Sequence, residues 1–396
     1  MTEGITTAAP IPPPKSTEPA PNAPSKNQRF VFLDGLRGLA ALMVVSTHLI
    51  TGSISHRQLA RYTPRFIDHF MDKWMMGVPI FFVLSGFVIA YSQRGVRVTP
   101  SYLGNFAIRR SLRLDPPYWL AIALTDISIR FYRRFMVHPW AVAHPLAILC
   151  NMFYLQNILH TQIIVGPSWT LCFEVQFYLT LTILVGIAQT LPYFHLSFLG
   201  WRNAPFIVVF IPLALASLWV DYRGNRIPFV PAFWWMFFLG VMLWWNRSGL
   251  VSTAWLLIYI LAIAGLLVVA WNPYNVVAFL TGLTIFAAGR TGGLMTWLRW
   301  RWIQFFGAIS YSLYLTHDIF APLQYMGNRL FHQSFFGAWF TLVVVFAISV
   351  GFSWLMYRFV ERTGIALGNR FKPRRQDKQI KPEILQVPSA AVSTLP

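Results

Sequence analysis

The sequence has 396 residues, of which 56% are hydrophobic and 11% are charged, and its mean hydropathy is +0.52. Soluble proteins carry about 25% charged residues, so this composition excludes an ordinary soluble domain and favours an integral membrane protein solvated by the lipid bilayer. The formal net charge of +19 is best explained by basic loops held on the cytoplasmic face near anionic lipid, and we expect no nucleic-acid partner.

Apolar stretches recur along the chain and reach the length of about 20 residues that a membrane-spanning helix needs. Because the stretches are continuous rather than alternating, they indicate helices and disfavour strands. We predict an all-α polytopic bundle of about ten spanning helices, over residues 30–50, 74–93, 114–127, 168–190, 205–220, 229–245, 254–271, 275–289, 303–322 and 336–358. The stretch 143–158 is ambiguous, since it either spans or lies re-entrant.

The spans divide the chain into three regions. Residues 1–29 are rich in proline and polar residues, which predicts a disordered cytoplasmic tail rather than a signal peptide. Residues 30–362 form the transmembrane domain, and residues 363–396 are predicted to form a basic, disordered cytoplasmic tail. With ten spans and both termini inside, 21 of the 32 Lys and Arg lie in inside loops and 10 in outside loops. This bias follows the positive-inside rule.

Ionisable side chains inside the first span point to function, because such residues are costly in a membrane. Asp34 and Arg37 are three residues apart and can form an ion pair. Arg37 and His48 are eleven residues apart, which places them on one helix face about 16 Å apart along the axis. A structural ion pair and a core histidine would be the alternative explanation.

Two further segments carry charge near or within the spans. RRSLRLDPPYW places Arg110 and Arg113 three residues apart at the inner mouth, before Pro116 and Pro117 start a span. Such a pair can bind phosphate, although for this segment alone retention of a cytoplasmic loop by positive charge is the better explanation. PSWTLCFEVQFY places Glu174 inside a span, where an unpaired carboxylate is costly.

The segment GAISYSLYLTHD carries a polar stripe at helical spacing, and such stripes usually serve helix packing. Its candidate residues are Tyr311, Tyr314, His317 and Asp318. In the predicted topology His48, Glu174 and His317 fall in the outer part of the membrane, whereas the arginines fall in the inner part. Cys150 and Cys172 show neither a disulfide framework nor metal-ligand spacing, and we predict no metal site.

These segments resemble the acyltransferase 3 family of membrane O-acyltransferases over about residues 29–362. The resemblance rests on six segments in the family's order: FLDGLRGLAALMVVSTHL, GVPIFFVLSGFVI, RRSLRLDPPYW, PSWTLCFEVQFY, GAISYSLYLTHD and YRFVERTG. Two details depart from the family's pattern, the Pro116-Pro117 pair and Thr363, which stands where proline is common. Some members carry an additional extracytoplasmic hydrolase-like domain, and we expect none in the 34 residues after Arg362.

The resemblance implies acyl-CoA as donor and co-substrate, most simply acetyl-CoA, with no bound cofactor, and a carbohydrate or lipid-linked glycan hydroxyl as acceptor. It also implies that Arg37 and His48 are essential and that Arg110 and Arg113 help to bind CoA. Glu174 is implied to matter, with Trp169 and Asp34 as supporting residues. The expected location is a bacterial inner membrane.

Acyl transfer needs a base for the hydroxyl proton and a group that stabilises the oxyanion. Neutral His48 is the natural base, with Glu174 orienting it or stabilising the imidazolium, and an acyl-histidine intermediate is an alternative. A proton-coupled secondary transporter would also use intramembrane Asp, Arg, His and Glu. CoA binding distinguishes these two classes.

Overall fold

A computed structural model describes residues 29–51, 76–135, 142–191, 204–224, 227–331 and 334–371. Within these ranges the regular elements are all helical and there is no β-strand. The α-helices, in chain order, are α1 (Val31–Thr51), α2 (Gly77–Ser92), α3 (Pro100–Phe135), α4 (Pro145–Met152), α5 (Trp169–Thr190), α6 (Ala204–Tyr222), α7 (Trp234–Arg247), α8 (Thr253–Val269), α9 (Pro273–Thr291), α10 (Gly293–Thr296), α11 (Arg301–Thr316), α12 (Ala321–Leu330), α13 (Phe335–Met356) and α14 (Arg362–Gly368).

The all-α fold class predicted from the apolar stretches is confirmed. Three helical segments are long and apolar enough to cross a membrane, and they cover Val31–Ile50, Gly166–Thr190 and Phe335–Phe371. Shorter apolar helices cover Gly77–Ser92, Val209–Tyr222 and Thr253–Val269. The protein is therefore an integral membrane helical bundle, and the number of ten spans stays a prediction.

The ambiguous stretch 143–158 contains only the eight-residue helix α4. A helix of eight residues is about 12 Å long, well short of a hydrocarbon core of about 30 Å. This stretch therefore does not cross the bilayer as a single helix.

Helix α3 differs from the prediction that a span starts at Pro116 and Pro117. It is one continuous helix of 36 residues with both prolines inside it, which corresponds to a length of about 54 Å. Proline removes a backbone donor, and in membrane helices neighbouring groups compensate for that loss. The carbonyls that lose a helical donor are those of Leu112 and Arg113, and Tyr311 of α11 donates a separate hydrogen bond of 2.7 Å to the neighbouring carbonyl of Leu114. The prolines thus mark a contact with α11 rather than a helix start.

The predicted tails fall only partly within the described residues. The amino-terminal tail lies outside them, apart from Arg29. The carboxy-terminal tail was expected from residue 363, but Arg362–Gly368 forms helix α14. Close packing explains this difference, because a Cβ atom on Gly364 would lie 2.1 Å from the carbonyl oxygen of Leu112 on α3. Residues beyond 371 lie outside the described part.

The centre of the bundle is built from two helix pairs whose backbones touch. A Cβ atom on Gly86 of α2 would lie 1.8 Å from the carbonyl oxygen of Phe237 on α7, and one on Gly240 would lie 2.0 Å from that of Val83. In the second pair, a Cβ atom on Gly307 of α11 would lie 2.2 Å from the carbonyl oxygen of Asp34 on α1. Small residues permit such close approach between membrane helices.

Candidate active site

A cavity between helices α1, α2, α3, α5 and α11 holds several of the predicted site residues. Its polar lining consists of Arg37, Ser85, Arg110, Arg113, Thr170, Glu174, Tyr178, Ser310, Tyr311 and Tyr314. Apolar side chains of α2 and α5 complete the wall, among them Phe81, Phe82 and Leu171. A polar cavity inside an apolar helical bundle is the usual form of a membrane-embedded binding site.

Three arginines converge on this cavity from two helices. Arg110 and Arg113 lie three residues apart on α3, and Arg37 enters from α1. The Arg110 guanidinium lies 5.1 Å from the ring centroid of Tyr178 on α5, a distance within the range of a cation–π contact. Within the described residues, none of the three arginines has a carboxylate oxygen within ion-pair distance. The cavity therefore presents several guanidinium groups to an anionic ligand.

Asp34 does not form the ion pair with Arg37 that the sequence suggested. Its carboxylate instead pairs with the guanidinium of Arg29, just before the start of α1, at 2.6 Å. Arg37 itself lines the cavity.

Glu174 lies in the arginine cavity, with its carboxylate in a network of hydroxyl groups. Ser85 of α2 donates a hydrogen bond of 2.6 Å to Glu174 Oε1. Tyr178, one turn along α5, donates a second hydrogen bond to the same oxygen. These contacts differ from the expectation that Glu174 would meet His48. Glu174 instead lines the cavity together with the three arginines.

His48 lies against His317, with ring centroids 4.9 Å apart and an interplanar angle of 66°. His48 Nδ1 lies 2.8 Å from the carbonyl oxygen of Val44, and His317 Nδ1 lies 3.1 Å from that of Leu313. Because a carbonyl oxygen only accepts, these contacts assign a proton to each Nδ1, and a ring with one proton then has its lone pair on Nε2. Both rings are therefore in the tautomer that can accept a proton or a metal ion.

Tyr314 of α11 lies between the arginine cavity and the histidine pair. Its hydroxyl lines the cavity and lies 2.7 Å from Thr170 Oγ1. Its ring centroid is 5.6 Å from that of Phe81 and 6.3 Å from that of His317. Tyr314 thus lines the arginine cavity and also packs beside the histidine pair.

The remaining predicted residues have identifiable places. Asp318 follows His317 in the short 3₁₀ turn after α11, and its Oδ1 lies 3.5 Å from His317 Nε2. Trp169 packs against Phe233 at a centroid distance of 5.9 Å, and its backbone carbonyl accepts a hydrogen bond from Asn157. These contacts give Trp169 a packing role at the start of α5.

Sequence reasoning missed the buried carboxylate of Glu361. It is only 2% exposed and accepts a hydrogen bond of 2.8 Å from Ser312 of α11. Arg113 and Arg37 are the charged groups that attract it. It lies in a π-helical turn, Tyr357–Glu361, and such turns are frequent at functional sites. An acidic residue at the end of a long apolar run was the available signal, together with its place in the segment YRFVERTG.

The fold and this cavity define an integral membrane protein with an arginine-lined polar cavity inside a helical bundle. The chain belongs to the acyltransferase 3 family, whose model, described as an acyltransferase domain, matches residues 30–358. This confirms the resemblance carried by the six sequence segments.

Three relatives illustrate the range of similarity. The chain is similar to acyltransferase MdmB of Streptomyces mycarofaciens, with 24% identity over 340 residues that cover 78% of this chain and 82% of the relative. It shares 28% identity over 197 residues with nodulation protein 10 of Rhizobium leguminosarum bv. viciae, covering 43% of this chain and 49% of that protein.

Protein 2 in the picA locus of Rhizobium radiobacter is 35% identical over 105 residues, which cover 25% of this chain and 46% of the relative. The match thus spans about half the length of each rhizobial relative. No solved structure matches the chain significantly.

Proposed function

We propose that this acyltransferase moves an acetyl group from cytosolic acetyl-CoA to a hydroxyl of a carbohydrate or lipid-linked glycan. We place it in a bacterial inner membrane, with ten spans and both termini in the cytoplasm. The convergence of Arg37, Arg110 and Arg113 on one cavity carries this proposal. The family membership supports acyl transfer, and the carbohydrate acceptor follows from the family resemblance.

The donor is assigned from the chemistry of the arginines. CoA carries a pyrophosphate and a further phosphate, and guanidinium groups bind phosphate through charge-assisted, often bidentate hydrogen bonds. Arginines without a carboxylate partner in the described residues are costly to keep in an apolar bundle. A phosphate-bearing donor offsets that cost, which favours acyl-CoA over an uncharged acyl donor.

The transfer step is assigned to His48 as general base. His48 Nε2 accepts the proton of the acceptor hydroxyl while the hydroxyl oxygen attacks the thioester carbonyl carbon. The carbon–sulfur bond then breaks, CoA leaves as a thiolate that takes up a proton, and the acetyl group remains on the acceptor as an ester. The Nδ1 contact with the Val44 carbonyl supports this assignment, because it leaves the Nε2 lone pair available.

Glu174 is assigned to the donor cavity rather than to the histidine. Its carboxylate is held by Ser85 and Tyr178 and shares the cavity with the arginines. A negative charge fixed there can align the guanidinium groups around the donor without neutralising them as a direct ion pair would. We therefore expect Glu174 to affect the transfer rate more than the affinity for acyl-CoA.

The donor assignment is tested by equilibrium binding of acetyl-CoA to the purified full-length protein in lipid nanodiscs. Each lost charged contact costs about 1.5–3 kcal/mol, so Arg110→Ala or Arg113→Ala should weaken binding by about 10- to 150-fold. Arg109→Ala is the matched control, because Arg109 lies on the same helix but contacts the Asn105 carbonyl and the Tyr102 ring. Equal affinities in all three variants and the wild type would refute the donor site.

A further inference from the structure

We propose that His48, His317 and Asp318 form a binding site for a divalent transition-metal ion of the Zn²⁺ type, and that the bound ion blocks acetyl transfer. The metal site goes beyond the proposed function. Only the inhibition rests on it, through the assignment of His48 as the base.

The three side chains come from two separate elements and meet at one point. His48 lies near the end of α1, whereas His317 and Asp318 lie in the turn after α11. One ligand atom from each, a ring nitrogen or a carboxylate oxygen, lies within 4.8 Å of the others. In a tetrahedral Zn²⁺ site each ligand atom lies about 2.0–2.2 Å from the ion. The ligand atoms are then closer to one another than 4.8 Å, so modest side-chain movements would complete the site.

The hydrogen bonds of the two rings match those of metal-binding histidines. A metal-ligating histidine usually donates its other ring N–H to a carbonyl or carboxylate, which fixes the ring and its tautomer. His48 donates to Val44 and His317 donates to Leu313 in this way. Both Nε2 lone pairs are therefore free to bind an ion without any change of tautomer.

His317 Nε2 supplies an independent observation. His317 is 1% exposed, and its Nε2 has no hydrogen-bond partner among the described residues. The carboxylate oxygen Asp318 Oδ1 lies 3.5 Å from His317 Nε2, which is beyond ordinary hydrogen-bond distance. A buried polar atom without a partner is costly, and a metal ion shared with His48 and Asp318 would satisfy it.

The structure also leaves space beside the carboxylate of Asp318. A Cβ atom on Gly166, just before α5, would lie 2.4 Å from Asp318 Oδ2. The absence of a side chain at Gly166 lets the carboxylate lie beside the rings rather than being pushed away. Two imidazole nitrogens and one carboxylate oxygen form a donor set that suits Zn²⁺, whereas Mg²⁺ and Ca²⁺ prefer oxygen ligands.

A bound metal ion would block catalysis because it would occupy the lone pair that His48 needs as a base. A lone pair of His48 Nε2 that binds a metal ion cannot accept the proton of the acceptor hydroxyl. The ion and the acceptor proton therefore compete for one nitrogen, and occupation of the site should stop transfer reversibly.

The test uses the full-length protein in nanodiscs after removal of metal ions with a chelator. Co²⁺ is titrated as a spectroscopic probe and then displaced with Zn²⁺. We expect one saturable site with the absorption of Co²⁺ bound by nitrogen and oxygen ligands. His317→Gln and Asp318→Asn should each weaken binding at least 10-fold, while His144→Gln, which removes an exposed histidine at the start of α4, should leave it unchanged.

Two results would overturn the metal site: no saturable binding to the folded wild type, or wild-type affinity in both His317→Gln and Asp318→Asn. Acetyl transfer is then measured at increasing Zn²⁺, with recovery by chelator. Inhibition at the concentrations that fill the site supports the proposal. Binding without inhibition would retain the site and refute the assignment of His48 as base.

Discussion

Ser312 of α11 donates a hydrogen bond of 2.8 Å to the buried carboxylate of Glu361, and so joins the centre of the bundle to its last helical segment. Glu361 also attracts Arg113 and Arg37 across the cavity wall. The last helical segment thereby adds a carboxylate near two of the arginines proposed to bind the donor, without an ion pair to either of them.

This contact predicts different stabilities for two substitutions of Glu361. Glu361→Ala leaves the Ser312 hydroxyl without its acceptor and should lower the free energy of unfolding by about 1–3 kcal/mol. Glu361→Gln keeps an acceptor oxygen and should cost less. Thermal unfolding of both variants in the same detergent measures the difference. Equal losses in the two variants would mean that the hydrogen bond contributes nothing.

The base assignment predicts that His48→Ala reduces acetyl transfer by at least the roughly 10²- to 10⁴-fold that general-base catalysis supplies. His48→Gln should fail as well, because an amide of similar reach cannot accept the proton. Binding of acetyl-CoA should survive in both, since the arginines are unchanged. The measurement is transfer from labelled acetyl-CoA in membranes, normalised to folded protein. Wild-type transfer by a folded His48→Gln variant would contradict the mechanism.

Glu174→Gln should lower the rate of acetyl transfer without weakening the binding of acetyl-CoA. The amide oxygen can still accept the hydrogen bonds from Ser85 and Tyr178, so the fold should persist. Loss of the negative charge leaves the cavity more positive, and acetyl-CoA should therefore bind at least as tightly as in the wild type. We expect kcat to fall while KM for the donor does not rise. A raised KM with unchanged kcat would instead make Glu174 a simple binding residue.

Both termini are predicted to face the cytoplasm, because inside loops hold 21 of the 32 basic residues in the ten-span topology. Ala60→Cys and Ile380→Cys, labelled in intact cells with a thiol reagent that does not cross membranes, test this directly. The Ala60→Cys variant should react with the reagent, and the Ile380→Cys variant should not. The native Cys150 and Cys172 are buried, which keeps background labelling low. Labelling at position 380 would overturn the topology.

The sequence predicted the helices well because apolar runs and helical spacing are local properties. The sequence placed Arg110 and Arg113 at the inner mouth before a span, whereas the structure places both within the continuous helix α3 and in one cavity. The partners of Glu174 could not be predicted, because depth in the membrane gives a position along a helix axis but not its rotation. The same limitation hid Ser85 and Tyr178, whose hydroxyl groups are ordinary in an apolar span.

Asp34 illustrates a second limitation. Spacing along one helix makes Arg37 a possible partner, but Arg29 in the preceding segment approaches more closely. Pro116 and Pro117 illustrate a third, since a proline pair usually ends or starts a helix, whereas α3 continues through both. For Asp34 a tertiary contact decided between alternatives that local sequence rules leave open, and for the prolines the local rule did not hold.

The backbone contact of α2 with α7 has a mechanical consequence. At Gly86 and Gly240 the two backbones touch, and Phe82 stacks on Phe237 beside them, so we expect the pair to move as one body. Helix α2 forms one wall of the cavity, and helix α7 packs directly against the other side of α2. Any widening that admits a donor as large as acyl-CoA must therefore come from displacement of α1, α3, α5 or α11 relative to this body.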